Sequence, residues 1–266
     1  VGLDAATVIV EADGINGLPA TIVDGLPAAA VRESRERVRS ALKNSEMSYP
    51  QSRIAVNLAP ADVPKIGSHF DLPIALSILI ASEQLTFDAT DKIFVGELSL
   101  DGSVRSVPGV LAMALHAHSC GIKEIYVPVE NSAEAALVIG LSVKPVKSLR
   151  ETIEHLLGVK VIEDAPPADP LTLLSNAKPS VDMADVSGQE TSKRALEIAS
   201  SGLHNVLMYG PPGSGKTLLA RALSGILPNL VLSEALELTK IYSIAGKLKG
   251  PAITARPVRS PHHTTS

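Results

Sequence analysis

The residues whose types and spacing point most directly to chemistry are Gly210, Pro211, Pro212, Gly213, Ser214, Gly215, Lys216 and Thr217, followed by Leu218. They fit the pattern G-x-x-x-x-G-K-[ST] at every fixed position. Gly213 and Gly215 let the backbone turn tightly, so that successive amide N–H groups and the start of the following helix point at phosphate oxygens. Lys216 brings a positive charge to the β- and γ-phosphates, and the Thr217 hydroxyl is placed to ligate magnesium. The expectation is a site for ATP and Mg²⁺ over 210–218, with Lys216 and Thr217 as its catalytic residues.

Such a loop works only between a strand and a helix, and the flanking residues have that order. Residues 204–209 read as a short apolar strand, a helix is expected from Lys216, and 188–201 is helical in pattern. Upstream, 7–12 and 53–58 read as strands. Residues 29–44 place Val31, Val38 and Leu42 among Arg, Glu and Ser, which suits an amphipathic helix. Arg32, Arg35, Arg37 and Arg39, interleaved with Glu33 and Glu36, are expected to form its solvated face. Residues 71–82 read as a buried helix, with Asp71 having the chemistry of an N-cap. Residues 93–100 and 103–107 flank Asp101-Gly102, a dipeptide that accepts the positive φ angles of a hairpin turn. The stretch 159–181 holds Pro166, Pro167, Pro170 and Pro179 and reads as a linker between domains. The expected organisation is therefore 1–158, linker 159–181, and 182–266.

Composition narrows the function classes. Hydrophobic residues make up 45% of the 266 and aromatics only 3%, so the core is built from Ala, Val, Ile and Leu. A net charge of -4 and a pI near 6.0 give no global drive toward nucleic acid or membrane surfaces. The single Cys120 excludes an intrachain disulfide and a CxxC motif, which fits a reducing compartment. The most apolar run, 72–81, is half of the roughly 20 residues that cross a bilayer, and nothing at the start of the chain reads as a signal peptide. The expectation is a cytoplasmic protein with no membrane partner.

The residues around the loop carry a more specific likeness. Asp185-Val-Ser-Gly-Gln-Glu190, Lys193 to Ile198 and His204-Asn-Val-Leu207 resemble the magnesium-chelatase-like AAA+ ATPases, specifically the YifB/ComM family. Arg256-Pro-Val-Arg-Ser-Pro-His-His-Thr264 is similar to that family's R-P-F-R-x-P-H-H-T signature, with Val258 in place of Phe. Gly17-Leu-Pro19, Gly25-Leu-Pro27, Glu33 to Val38, Val56 to Pro60 and Phe70 to Pro73 match its N-terminal domain. The resemblance implies a homo-hexameric ATPase, whose best-described members drive DNA branch migration during natural transformation. Magnesium chelatase itself acts on porphyrins, but its ATPase subunit is not similar to 1–158, which argues against tetrapyrrole chemistry here.

The N-terminal region also resembles the proteolytic domain of Lon, through Val95 to Gly102 and Gly121 to Pro128. The implied fold is a Lon-protease-like α+β domain followed by the first part of a P-loop AAA+ α/β domain. A Ser-Lys peptidase needs a serine beside a lysine of lowered pKa. Carried over residue by residue, those positions hold His69 and Leu111, which cannot serve. Ser68 with Lys65 is a substitute pair, on one short loop where lysine would stay protonated. The expected domain is non-proteolytic.

Two further sets were weighed. His262 and His263 lack the Cys or carboxylate neighbours of a metal site, and with Arg256 and Arg259 they form a small basic cluster able to contact DNA phosphates or simply to face solvent. An ATPase of this class also needs an acidic pair ending an apolar strand and an arginine from a neighbouring subunit. Neither is found after Thr217, so the sequence is expected to be part of a longer protein, and by itself to bind nucleotide with almost no hydrolysis. The expected function is an ATP-driven DNA motor. The alternatives are a chaperone-like ATPase acting on protein and, behind it, a Ser-Lys peptidase.

Overall fold

The computed structural model describes residues 2–15, 17–18, 20–175 and 181–258, the side chain of Arg32 excepted. The chain divides into two compact units, the first formed by 1–168 with 239–251 and the second by 169–238 with 252–266. Both are mixtures of helix and irregular backbone, and the first adds parallel and antiparallel strands.

In the first unit, β1 (Ile9–Ile15), β2 (Ala20–Asp24) and β3 (Arg53–Ala59) form a sheet in the order β1-β3-β2. β3 is central because its alternation buries Ile54, Val56 and Leu58 on one side. It pairs antiparallel with β1 and parallel with β2. Gly25, at φ +97°, ends β2 against β3, and a Cβ there would lie 2.1 Å from the Leu58 carbonyl oxygen, so no other residue fits. Helix α1 (Ala29–Asn44) presents Val31, Ser34, Val38, Ala41 and Leu42, all buried, at the three-to-four-residue spacing of one helical face. Helix α2 (Asp71–Ala81) buries Leu72, Ile74, Ala75, Leu76, Ile78 and Leu79 and so is central to the core.

A second sheet follows, with β4 (Lys92–Phe94), β7 (Glu124–Pro128) and β8 (Ser142–Val146) all parallel in the order β4-β7-β8. Between β4 and β7 lie the hairpin β5 (Glu97–Leu98) and β6 (Val104–Arg105) and helix α3 (Val110–Ser119). Helix α4 (Val129–Ala135) crosses from β7 to β8, and α5 (Leu149–Leu156) follows behind a Ser148 cap that accepts the Glu151 N–H. Three aromatics meet here: Phe94 stacks on Tyr126 at 4.5 Å and Phe87 meets Phe94 edge-on at 5.7 Å.

Several expectations need correction. The predicted strand 93–100 is split, because the chain changes sheets at Gly96: the Val95 N–H bonds the Tyr126 carbonyl, while the Gly96 N–H bonds His69 and its carbonyl accepts from Leu72. Asp71 is the first helical residue and caps nothing; the cap position is Phe70. Arg37 leaves the solvated face of α1 to pair with it, while Arg35 and Glu36 are exposed as expected. Within 159–181, Ile162 and Ala165 are buried and the Ala165 N–H bonds the Val143 carbonyl along β8.

The second unit contains α6 (Pro170–Ser175), α7 (Glu190–Gly202), α8 (Lys216–Ile226) and the first half of α9 (Leu232–Ile244), whose residues from Thr239 onward belong to the first unit. Its core is small: Met183, Val186, Leu196, Leu219 and Ala222. The expected strand at 204–209 is not formed. A strand exists only by pairing, and the second unit has no β-strand among its described residues. Leu207 and Tyr209 accordingly stand 95% and 101% exposed.

Candidate nucleotide site

The loop before α8 takes its shape from its glycines. Gly213 and Gly215 sit at φ +79° and +82°, the left-handed region that side chains avoid. Gly215 holds the N-cap position of α8, and its carbonyl accepts the Leu219 N–H at 3.0 Å. The helix thus starts at Lys216 with the free N–H groups of its first turn, and no acidic side chain is present there to occupy them. A helix start of this kind favours an anion through its unpaired donors and its dipole.

Lys216 lies over the loop. Its ammonium donates to the Gly210 carbonyl at 2.9 Å, the Pro211 carbonyl at 2.7 Å and Ser214 Oγ at 3.1 Å. The cation is therefore held next to the two positive-φ glycines, balanced by neutral dipoles alone. Leu219 is buried behind it and anchors α8, while Thr217 and Leu218 are exposed in its first turn. The donor set fits a polyphosphate with a divalent ion: backbone N–H groups, one ammonium and one hydroxyl, with no competing carboxylate.

Sequence reasoning missed one neighbour. Gln189, the αL residue at the cap position of α7, reaches the loop with its amide at 3.5 Å from the Ser214 carbonyl. Its place in Asp185 to Glu190 was visible, but that contact depends on how α7 packs on α8. Arg256 donates to the Pro228 carbonyl at 2.6 Å and to Glu234 at 3.0 Å. Arg259, His262 and His263 lie outside the described residues. No group of three or more His, Cys, Asp or Glu among the described residues is placed to hold a metal ion.

In the first unit the positions that correspond to a peptidase dyad are also on view. Leu111 is fully buried in the core. His69 lies against Phe70, the rings tilted with centroids 4.1 Å apart, and burial lowers its pKa to about 4, so the ring is neutral at pH 7. The substitute pair is not brought together: Ser68 Oγ bonds the Glu97 carboxylate, and Lys65, itself buried, donates to the Pro60 carbonyl. Beside them the Arg37 guanidinium grips Asp71 through two bonds of 2.7 and 3.0 Å, and the Leu98 N–H adds a third at 3.2 Å. Burial pushes the Asp71 carboxyl above the usual range, against the opposing pull of Arg37.

Comparison with known families puts the chain in the magnesium-chelatase class. Family models described as "Subunit ChlI of Mg-chelatase" and "Magnesium chelatase, subunit ChlI" match residues 10–131 and 182–266, which corrects the expectation that no magnesium-chelatase subunit is similar to the N-terminal region. The chain belongs to the YifB/ComM family of magnesium-chelatase-like proteins, as its motifs indicated. It is 42% identical over 268 residues to YifB of Escherichia coli, covering all of this chain and 52% of YifB. It is 40% identical over 272 residues to the competence protein ComM of Haemophilus influenzae, covering all of this chain and 53% of ComM. Over 137 residues, half of this chain and 16% of the relative, it is 26% identical to the Lon protease of Methanosphaera stadtmanae. The chain spans about half the length of the curated YifB and ComM relatives.

Proposed function

We propose that this chain binds ATP and Mg²⁺ at 210–218 and forms the nucleotide-binding part of a homo-hexameric, cytoplasmic ATPase that drives DNA branch migration. The observation that carries the nucleotide reading is the Lys216 ammonium, held by neutral oxygens over two positive-φ glycines at a helix start. Mg-ATP supplies the transferable γ-phosphoryl group. The residues of the chain bind and orient it: the N–H groups from Gly213 to Leu218 face the phosphates, Lys216 exchanges its loop oxygens for phosphate oxygens, and Thr217 supplies a magnesium ligand.

The DNA part of the proposal is supported by the likeness to ComM, whose name links that protein to competence. Arg256, Arg259, His262 and His263 are the proposed phosphate contacts, with Arg256 half-buried against Glu234. The two family matches, at 10–131 and 182–266, support two distinct domains, with the chain after 158 packing on the first through Ile162 and Ala165. Among the described residues no helix is long and apolar enough to cross a membrane.

The likeness to Lon favours a second reading, an ATPase that handles protein through a non-proteolytic N-terminal domain. Peptidase activity is disfavoured by the separate partners of Ser68 and Lys65. The deciding assay uses the natural full-length protein on a labelled four-way DNA junction. ATP-dependent branch migration that is lost in Lys216→Ala is expected. An ATPase stimulated by unfolded casein and indifferent to junctions would favour the protein-handling reading instead.

A further inference from the structure

Between the β5–β6 hairpin and α3, the backbone of the first unit has its hydrogen bonds made on one side and left open on the other. Arg105 pairs with Glu97 across the hairpin, and the Val107 N–H and carbonyl are both taken by the Asn131 amide, at 3.0 and 2.9 Å. Val104 faces the opposite way, its N–H bonding the Lys147 carbonyl at 2.9 Å. In an extended chain the backbone groups alternate sides, so those of Ser106 face the way of Val104 and not toward β5. No backbone meets them there. Ser106 is exposed, and neither its N–H, its carbonyl nor its hydroxyl enters a hydrogen bond among the described residues.

Two open cavities meet at this residue. One, of about 570 Å³, is lined by Glu97, Ser103, Arg105 and Lys147 among others, and the next, of about 470 Å³, by Val107, Pro108, Asn131 and others; Ser106 and Glu130 line both. All of these residues belong to the first unit. Together the cavities form one groove that follows the backbone from Ser103 to Pro108, above Val104 and Val107, which are buried. Its charged groups are available to a ligand. Glu97 already accepts from Ser68, whereas Arg105, Lys147 and Glu130 enter no ion pair among the described residues.

The mixture of signs selects the class of ligand. A nucleic-acid strand is a dense polyanion, and the two cations of the first cavity are cancelled by its two carboxylates, so the groove offers such a strand no net attraction. A polypeptide is better matched, because each of its residues brings an N–H and a carbonyl able to pair with an open backbone edge, while its side chains supply local charge. We propose that this groove binds an extended polypeptide segment, which pairs through its backbone with Ser106 and places an acidic side chain at Arg105 and Lys147. The proposal is independent of the nucleotide reading at 210–218, and it requires no cleavage of the segment held.

The test is fluorescence anisotropy of labelled, reduced and carboxymethylated α-lactalbumin, an unfolded acidic chain, titrated with the 266-residue chain, with single-stranded oligo-dT as the competing class. Saturable binding of the unfolded chain is expected, weakened at least about fivefold by Arg105→Glu combined with Lys147→Glu. Arg35→Glu, which reverses an exposed charge on α1 outside the groove, should leave it unchanged. Arg105→Glu alone should weaken binding in the same direction, and it serves if the double variant fails to fold. Amide exchange at Ser106 should slow about tenfold or more in the complex, because pairing protects that N–H. No saturable binding by wild type, equal affinity in the groove variants, or Ser106 exchange that stays the same at saturation would each overturn the proposal. Oligo-dT binding that the groove variants weaken, with no binding of the unfolded chain, would also overturn it and make the groove a nucleic-acid surface.

Discussion

The first unit and the second were built from similar sequence cues with different outcomes. Both contain apolar runs that read as strands and glycines that force turns. In the first, Arg53–Ala59 found partners on both sides and became the centre of a sheet. In the second, residues 204–209 pair with no strand among the described residues, and Leu207 and Tyr209 face solvent. The lesson is that an apolar alternation specifies a face to be buried, while neighbours decide whether a strand exists. The phosphate loop escapes this dependence, because its glycines and the start of α8 are local features. That is why its shape is present in a unit with a core of only a few residues.

The contrast can be broken most strongly at Asp71. Replacing it by alanine leaves Arg37 partly buried without its carboxylate and the Leu98 N–H without an acceptor, and among the described residues the second unit buries no charged side chain. A loss of about 3 kcal/mol in urea unfolding is expected, at the low end for a broken buried pair because Arg37 keeps some water access. A loss below about 1 kcal/mol would remove the pair from the account of the first unit.

A smaller effect is expected with pH. The folded-state pKa of His69 lies at about 4, below the 6.5 of an unfolded chain, so the unfolded state binds more protons between these values. The stability this neutral ring contributes is present above pH 6.5 and is lost as pH falls toward 4, by at most about 3 kcal/mol. His69→Gln should flatten that part of the profile, and a slope unchanged by the substitution would show that other groups produce it.

The smallest effect is expected at Leu207. Its side chain is almost wholly exposed, so Leu207→Ser should change the melting of the chain by no more than about 0.5 kcal/mol. A large loss would mean that 204–209 has a buried partner after all, and the contrast between the units would weaken.

Much of this was legible in the sequence. Residues 29–44 and 71–82 announced α1 and α2 through periodicity and apolar density, and the loop at 210–217 announced itself through fixed spacing. The pairing of Arg37 with Asp71 was hidden because it joins two helices, and a charged residue in a mixed-charge segment gives no sign that it turns inward. Arg105, Glu130 and Lys147 of the groove were hidden for the same reason, lying far apart in sequence with nothing local to mark any of them. The absent strand at 204–209 was misread because strand pairing is not a local property. Arg259, His262 and His263, which carried the basic-cluster reading, lie outside the described residues.

The central claim is that residues 210–218 hold a magnesium nucleotide, and calorimetric titration of Mg-ADP into the 266-residue chain and its Lys216→Ala variant tests it most directly. The account predicts a saturable heat for the wild type and an affinity at least about tenfold weaker for the variant, because a charge-assisted bond to phosphate is worth about 1.5–3 kcal/mol. Equal affinities, or no binding by a wild-type chain whose α8 is shown to be folded, would contradict it.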